Sequence, residues 1–188
     1  MKESAMKRLL FLSLLVLNAL CAGIVHAEKA DADKETEIRA DQSTFDDVRQ
    51  VSTFTGNVVL TKGTLIIKAH KIVVTQDPAG YQYATIHAAP GGVATFRQKR
   101  DGGPDLWFEG QAQRIEYDGK SEIVKLISNA SIRRLDGRKA SDEITGELIT
   151  YDSRTEFITA NNAATGQGKA GQRVKVVIQP RSGQKDKQ

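Results

Sequence analysis

The sequence has few of the residues on which catalytic and metal sites depend. Its 188 residues include one cysteine, Cys21, and three histidines, of which only His70 and His87 lie beyond residue 27. Neither has a companion at the spacing of a metal site, and the sequence has no Gly-x-Ser-x-Gly nucleophile motif. The sequence therefore predicts no metal site, no cofactor and no enzyme activity based on a local nucleophile signature.

Long apolar runs are also missing after residue 27. Before it, "MKESAMKRLL" is positively charged, "LLFLSLLVLNAL" is apolar, and Val25-His26-Ala27 has small residues at the cleavage-defining positions. This order is typical of a secretory signal peptide cleaved after Ala27, and the run is shorter than the roughly 20 residues of a membrane span. The alternatives are an uncleaved anchor and lipoprotein processing at Cys21, which Leu20 disfavours because that processing needs a small preceding residue.

Removal of residues 1–27 alters what the charge and length imply. It leaves 161 of the 188 residues, and because the segment has three basic residues and one acidic residue, the net charge falls from +4 to +2. The rest has no cysteine for disulfides and is long enough for one domain. We expect a flexible lead-in over 28–36, one domain over 37–180 and a flexible tail over 181–188. The protein is predicted to be exported to the periplasm and soluble there.

The expected secondary structure is entirely β. Alternating segments recur about every 8–12 residues and are separated by turn residues such as Lys62-Gly63, Asp118-Gly119 and Asp136-Gly137. Asp-Gly after an alternating run favours a hairpin, because glycine accepts the positive φ of hairpin turns. No segment of useful length has helical periodicity. The sequence thus predicts an all-β domain.

The strands are predicted to have one apolar face. Phe54, Gly56, Val58 and Leu60 share one side of a strand, and Val124, Leu126, Ser128, Ala130 and Ile132 repeat this pattern. After Lys62-Gly63 the apolar side holds Leu65, Ile67 and Ala69 and then moves to Ile72 and Val74. This change predicts a bulge or corner near His70-Lys71. A sheet with one apolar face must bury it, so we expect the sheet to curl around an interior.

An internal echo places three aspartates in equivalent positions. "FDDVRQVSTFTGN" from Phe45 and "YDGKSEIVKLISN" from Tyr117 both have an asparagine eleven residues after the aspartate, and "YDSRTEFITANN" from Tyr151 is a shorter third copy. One interpretation makes Asp46, Asp118 and Asp152 acid–base carboxylates. Their positions at strand ends favour the other reading, in which each side chain bonds the backbone of a turn.

A glycine-rich segment and three basic clusters resemble binding motifs but have simpler structural interpretations. "GQGKAG" at 166–171 has the spacing of a dinucleotide-binding loop, but an alternating segment follows it instead of a helix, so it predicts a loop. Basic residues cluster at 97–100, 133–134 and 138–139 with few aromatic neighbours, and the charge of +2 is low for nucleic-acid binding. These clusters are either solvated strand ends or contacts for anionic head groups at the rim of the interior.

Several segments resemble the family of periplasmic lipopolysaccharide transport domains (OstA-like) that comprises LptA, LptC and the N-terminal part of LptD. They are "RADQSTFD", "FTGNVVLTKGTLIIKAHKIVV", "ATF", "AQRIEYD" and "RVKVVIQP", from about Ile38 to Pro180. The sequence departs from the family pattern at Ser128-Asn129, where Gly-Asn is usual, and at His70, where an acid is common. The resemblance implies a single open, twisted antiparallel β-jellyroll of many short strands.

The resemblance also implies a function. The interior accepts the acyl chains of lipid A, and units stack end to end to carry lipopolysaccharide from the inner to the outer membrane. A cleavable signal peptide and an ending at residue 188 fit the LptA type of member. Its implied partners are lipopolysaccharide, LptC at the inner membrane, LptD at the outer membrane and further copies of the chain.

Face parity and the resemblance together give the candidate site. The expected lipid-binding residues are Ile38, Phe54, Phe96 and Tyr117, followed by Ile72, Ile86, Leu126 and Phe157. The expected assembly edges are a first strand of Glu37, Ile38, Arg39 and Ala40 and a last strand of Arg173, Val174, Lys175, Val176, Val177 and Ile178. For each lipid-binding residue the alternative is ordinary core packing.

Two other functions stay open at this stage. One is a scaffold domain that has an ordinary packed core and joins envelope proteins without carrying lipid. The other is a hydrolase of envelope polymers, in which Asp46 and Asp118 would act as a carboxylate pair.

Overall fold

The alternating segments form antiparallel strands throughout. The computed structural model describes residues 31, 34–103, 105–155, 157–162 and 173–179. The strands in these residues are β1 (Thr36–Arg39), β2 (Gln42–Asp46), β3 (Val51–Lys62), β4 (Leu65–Gln76), β5 (Gln82–His87), β6 (Ala94–Lys99), β7 (Leu106–Ala112), β8 (Arg114–Asp118), β9 (Ile123–Asp136), β10 (Lys139–Asp152), β11 (Phe157–Asn161) and β12 (Lys175–Ile178). The predicted all-β class is confirmed.

The strands form two half-sheets that share their four longest members. Strands β3, β4, β9 and β10 run through both, and each shorter strand belongs to one. Half-sheet 1 has the order β1-β3-β4-β6-β7-β9-β10-β12. Half-sheet 2 has the order β2-β3-β4-β5-β8-β9-β10-β11. Together they form the predicted antiparallel β-jellyroll.

The half-sheets meet along a line that we call the crease. It passes through Asp41, Gly56-Asn57, His70, Ala88, Gln113, Ser128-Asn129, Glu147 and Asn162. The short strands break there. In β3 the two residues Gly56-Asn57 lie opposite His70 alone, and in β9 the two residues Ser128-Asn129 lie opposite Glu147 alone. All four of these doubled residues have positive φ, as is common where an extra residue enters a ladder.

Hydrogen bonds join neighbouring strands along the crease. The Asp41 N–H donates to the Gly56 carbonyl at 3.0 Å, and Asn57 Nδ2 donates to Asp41 Oδ2 at 2.9 Å. The Gln113 N–H donates to the Ser128 carbonyl at 2.9 Å, and Ser128 Oγ donates to Glu147 Oε1 at 2.7 Å. Two backbone carbonyls at the bulges, those of Gly56 and Ser128, are therefore paired across the crease.

The sequence located the corner correctly but not the strand that carries the extra residue. On β4 the buried side does change between Ala69 and Ile72, as predicted. The doubled residues, however, are Gly56-Asn57 on the partner strand. The reason is conformational, because glycine and asparagine accept positive φ more readily than His70-Lys71.

Both half-sheets turn their apolar faces to one core. The buried cluster comprises Val58, Ala94, Ala112, Ala130 and Ile132 with Phe108 from half-sheet 1 and Ile72, Ile86, Ile115, Leu126, Ile149 and Tyr151 from half-sheet 2. Phe108 and Tyr151 contact each other directly, with ring centroids 5.2 Å apart. The half-sheets therefore face each other.

Some predicted segments lie outside the described residues. These are the signal peptide (1–27), the 166–171 loop, the tail (181–188) and most of the lead-in (28–36). Within the lead-in, Asp31 is buried and accepts hydrogen bonds from the Thr64 N–H and hydroxyl, and Thr36 already belongs to β1. In the described part of the chain, no helix has the length and apolar character of a membrane span.

The geometry of the crease at Gly56 predicts that any side chain there destabilises the fold. Its φ is +83°, and an added Cβ would overlap the Asp41 carboxylate. We expect Gly56→Ala to lower the free energy of unfolding by about 1–2 kcal/mol through backbone strain and by about 1 kcal/mol more through the disturbed Asp41 hydrogen bonds. The measurement is urea denaturation followed by circular dichroism.

Gly91→Ala is the matched control. Gly91 has a φ of +75°, but an added Cβ meets nothing within 4 Å, so only the backbone strain remains. Equal losses of stability in the two variants would contradict the role given to Asp41.

Candidate functional site

The inner face of half-sheet 1 carries an unbroken cross-strand row. Ile38 of β1 lies opposite Leu60, and the pairing continues strand by strand to Val176 of β12. The complete row is Ile38, Leu60, Ile67, Phe96, Gly110, Ile132, Ile144 and Val176. An apolar stripe thus crosses the half-sheet from one edge to the other.

Half-sheet 2 has a matching row. It begins at the β2 edge with Ser43 and ends at the β11 edge with Ala160. Between them lie Phe54, Ile72, Ile86, Ile115, Leu126 and Ile149. Since the two rows face each other across the core, they line the interior on both sides.

Seven of the eight predicted lipid-binding residues lie on this inner face. Ile38, Phe54 and Phe96 are partly buried and pack against the core. Ile72, Ile86 and Leu126 are 0 %, 2 % and 0 % exposed, so in this structure they are core residues. Tyr117 lies in the next inner row, opposite Ala84 and Val124, and is partly exposed.

Phe157 is a correction, because the structure places it on the outer face. It lies opposite Asp152, whereas its neighbour Ile158 lies opposite the buried Tyr151 and packs against the core. Phe157 is 66 % exposed. The internal echo aligns Phe157 with Val51 and Ile123, and Ile158 with Ser52 and Val124. Adjacent residues of a strand point to opposite faces, so an error of one residue in register selects Phe157 instead of Ile158.

Two contacts in the interior were not predicted from the sequence. The ring of Phe96 covers Gly110, where an added Cβ would overlap the ring. The contact between Phe108 and Tyr151 joins the half-sheets at a distance from the crease. The only sequence signal was the glycine itself, which interrupts the apolar side of "LWFEGQA" between Phe108 and Ala112.

The pKa of the Tyr117 phenol is raised above its ordinary value. Burial raises its pKa, and the nearby carboxylates Glu122 and Asp118 raise it further. The neutral phenol is therefore favoured, as expected for an amphipathic side chain between an apolar interior and a polar rim.

The two ends of the sheet are edge strands. Glu37, Ile38 and Arg39 belong to β1, and Lys175 to Ile178 form β12. The predicted edge residue Ala40 follows β1 and packs against the core, while Arg173 and Val174 precede β12. Within the described residues, β1 pairs only with β3 and β12 only with β10. Val176 and Ile178 are 54 % and 76 % exposed.

The three echoed aspartates bind the backbone of turns. Asp46 Oδ1 accepts from the Val48 and Arg49 N–H groups. Asp118 Oδ1 accepts from Lys120 and Ser121. Asp152 accepts from Arg154 and Thr155 in the same way. All three lie in one outer row, next to turns.

These hydrogen bonds lower the pKa of each carboxyl. For Asp46 the main cause is the backbone of Arg49, and for Asp118 it is hydrogen bonding from Ser121. Burial alone would raise the pKa of Asp152, but hydrogen bonds from Arg154 and Thr155 outweigh it. Ionised, backbone-bound carboxylates are poor general acids. In the described part of the chain, no group of three or more His, Cys, Asp or Glu side chains has the arrangement of a metal site.

Comparison with known proteins identifies relatives over nearly the full length. A sequence model of the family described as "LptA/(LptD N-terminal domain) LPS transport protein" matches residues 37–157. The chain is 34 % identical over 173 residues to the lipopolysaccharide export system protein LptA of Haemophilus influenzae, covering 92 % of this chain and 91 % of that protein. For LptA of Escherichia coli K12 the identity is 36 %, with 91 % and 86 % covered.

A solved structure has the same fold. The crystal structure of LptH, described as the LptA-homologous periplasmic component of the lipopolysaccharide transport device of Pseudomonas aeruginosa, superposes with a TM-score of 0.69. The match covers 80 % of this chain and 99 % of the LptH chain at 24 % identity.

The aspartate turns predict an acid-dependent stability. Because the folded pKa of Asp118 is lowered, its contribution is fully present above the unfolded pKa of about 3.9 and is lost as the pH falls through the folded value. Asp118→Asn keeps an oxygen acceptor but does not titrate. We expect the wild type to have the higher urea midpoint at pH 7 and the difference to shrink toward about pH 2.

Asp47→Asn, which removes a carboxylate from an exposed neighbour of Asp46, serves as the charge control. A difference between wild type and Asp118→Asn that stays constant with pH would refute the proposed turn stabilisation by the ionised carboxylate.

Proposed function

This chain belongs to the LptA/LptD N-terminal-domain family of lipopolysaccharide transport proteins, and from that membership we propose that it is a periplasmic lipopolysaccharide carrier. It binds the acyl chains of lipid A between its half-sheets. It also joins other copies end to end, and these form a bridge from the inner to the outer membrane. The family is one of transport proteins, not of enzymes.

The observation that carries the proposal is the apolar row from Ile38 to Val176. It reaches both edge strands without a charged residue in between. A packed core needs apolar residues only at its centre. A conduit needs them out to the edges, where the next unit continues the path.

The energetics explain why lipid A needs such a path. Each CH₂ removed from water contributes roughly 0.8 kcal/mol, so an acyl chain of about a dozen carbons is stabilised by on the order of 10 kcal/mol in an apolar interior. Exposure of several such chains to water is prohibitive. A carrier removes this barrier without chemistry.

The structure also indicates where the interior would have to open. Ile72, Leu126 and Ile149 in the middle strands are 0 % exposed, and Phe108 contacts Tyr151 across the half-sheets. An acyl chain can occupy the middle only if the half-sheets separate at this contact. Toward the edges, Ile38 and Phe54 are only partly buried, which favours entry from the ends.

End-to-end assembly follows from the strand directions. Neighbouring strands of half-sheet 1 alternate in direction over eight strands, so β1 and β12 run oppositely. The β1 edge of one copy can therefore pair in antiparallel fashion with the β12 edge of the next. Continuation of the inner row would place Ile38 opposite Val176. LptC and LptD are the proposed partners at the two ends of the assembly.

The two rival functions have less support. Asp46 and Asp118, the carboxylates required for a hydrolase, are bound to turn backbones. A non-carrying scaffold is consistent with the packed middle of the interior but does not account for the apolar row that reaches both edges. The scaffold reading remains the alternative to be tested.

Site-specific photo-crosslinking to purified lipopolysaccharide tests the lipid path. A photoreactive residue at Phe96, Tyr117 or Ile158 should label lipid, because these side chains face the interior. The same residue at Thr55 or Phe157 should give no more than background, since both face outward. Labelled lipid is detected by immunoblotting of the shifted band.

The adjacent pair Ile158 and Phe157 is the sharpest comparison, because the two differ in face and lie only one residue apart along the strand. Equal labelling at both would contradict the interior path. A folded protein that labels at none of the five positions would favour the scaffold.

Cysteine pairing tests the assembly register. The proposed register places Glu37 of one copy opposite Val177 of the next, on the outer face. Because the chain has no cysteine after Cys21, a mixture of Glu37→Cys and Val177→Cys proteins should form a mixed disulfide, as Cα atoms of opposed residues lie within bridging distance. Non-reducing electrophoresis measures its yield.

The control mixture is Glu37→Cys with Val176→Cys, whose side chains would alternate to opposite faces. If this control bridges as efficiently as the test pair, the register is wrong. If neither mixture bridges at concentrations where the protein is oligomeric, assembly does not use these edges.

A further inference from the structure

The outer face of half-sheet 1 has a depression that the lipid path does not use. It has a volume of about 340 Å³ and lies over β4, β6, β7 and β9. Arg97 lies opposite Ile66 on one side and Glu109 on the other, and Glu109 lies opposite Arg133. This row alternates with the inward row of Phe96, so the charged side chains point away from the interior.

The charge of the depression is positive. Its lining includes three cations, Lys68, Arg97 and Arg133, and one anion, Glu109, which leaves a net charge of +2. Glu143 lies opposite Arg133 on β10 and is the nearest further anion on that strand. The other polar lining residues, Thr95, Gln111 and Ser131, can all donate hydrogen bonds.

Glu109 holds the two arginines in place. Arg97 Nη1 donates to Glu109 Oε1 at 3.0 Å, and Arg133 Nη2 donates to Glu109 Oε2 at 3.0 Å. One carboxylate thus orients two guanidinium groups through separate oxygens. Both arginine side chains remain almost half exposed, at 44 % and 45 %, so their remaining donors are accessible to a ligand.

Trp107 fixes Arg97 from a second side. The Arg97 guanidinium carbon lies 4.3 Å from the centroid of the Trp107 ring, a cation–π distance. Arg97 is therefore held by a carboxylate and an aromatic ring at once. Less side-chain freedom is lost when an anion binds to such a pre-positioned group.

We propose that this depression is a binding site for a phosphate group, with Arg97 and Arg133 as the main ligands and Lys68 as a further cation. Planar guanidinium groups match phosphate oxygens in bidentate geometry, and Thr95 and Ser131 add neutral donors. A volume of about 340 Å³ accommodates a phosphate carried on one sugar as well as free phosphate. Its charged and hydroxyl ligands lie on the face opposite the proposed lipid path, while Phe96 and Gly110 of that path form part of the floor of the depression.

The single tryptophan of the chain makes the site directly observable. Because Trp107 is the only tryptophan and contacts Arg97, its fluorescence should change when an anion engages that arginine. Glucose 6-phosphate and inorganic phosphate are titrated separately into the full-length mature protein, with potassium chloride at matched ionic strength as the reference. Isothermal titration calorimetry provides a second readout independent of the tryptophan.

We expect saturable binding of at least one phosphate probe and none with chloride. Arg97→Gln and Arg133→Gln should each weaken binding by about tenfold or more, the effect of losing a charge-assisted hydrogen bond. Arg114→Gln is the matched control, since it removes the same charge from a 47 % exposed arginine paired with Glu116 on half-sheet 2, and it should bind like the wild type.

The outcomes separate the possible sources of phosphate. Tighter binding of glucose 6-phosphate would assign the site to a phosphorylated sugar, and equal binding would assign it to free phosphate. The proposal is overturned if neither probe saturates by calorimetry, if chloride reproduces the signal, or if Arg97→Gln and Arg133→Gln bind as Arg114→Gln does. Lipid labelling in the interior would be unaffected by any of these results.

Discussion

The structure depends on one constraint, which is that a chain made of antiparallel strands with one apolar face must fold that face onto itself. A flat sheet would leave the row from Ile38 to Val176 in water. The crease solves this by letting β3, β4, β9 and β10 pass from one half-sheet into the other while their ladders stay paired. The doubled residues Gly56-Asn57 and Ser128-Asn129 adopt positive φ. The Asp41 and Gln113 N–H groups donate to the Gly56 and Ser128 carbonyls, and the side chains of Asn57 and Ser128 bond Asp41 and Glu147. The crease therefore determines how the two apolar rows face each other and share one core, and where the edge strands lie.

Much of this arrangement could be read from local patterns. Period-2 alternation predicted the inner faces of β3 and β9, because a one-residue shift would expose a complete face. The echo placed Asp46, Asp118 and Asp152 in equivalent turns because the same turn recurs where each long strand begins or ends. For Phe157, whose predicted face was wrong, the alignment of the three echo copies gives the correct face. The echo aligns Phe157 with the outward Val51 and Ile123, and in a strand of five residues an error of one residue in register exchanges Ile158 for Phe157.

The remaining features could not be predicted, since they join residues with no shared local signal. Phe108 meets Tyr151 only because the half-sheets fold toward each other. Gly110 is required by a ring on the neighbouring strand. The arrangement of Arg97, Glu109 and Arg133 depends on the register of three strands. From the sequence, the same arginines formed only basic clusters, for which solvated strand ends and anion contacts were both reasonable interpretations. The strand register brings Arg97 and Arg133 together at Glu109, which composition alone does not show.

The packed interior bears on how a carrier of the proposed kind would work. A permanently open apolar groove would expose its lining to water at a cost of roughly 25 cal/mol per Å². Here Ile72, Leu126 and Ile149 are buried against the protein itself, so the free protein does not incur that cost.

An acyl chain that enters must replace contacts such as that between Phe108 and Tyr151, and only the difference between the two sets of contacts contributes to affinity. In a carrier of the proposed kind, this exchange would keep net binding weak compared with the gross burial of the acyl chain. Weak and similar binding at successive units is what movement along a bridge requires, because a unit that held lipid much more tightly would stop the flow.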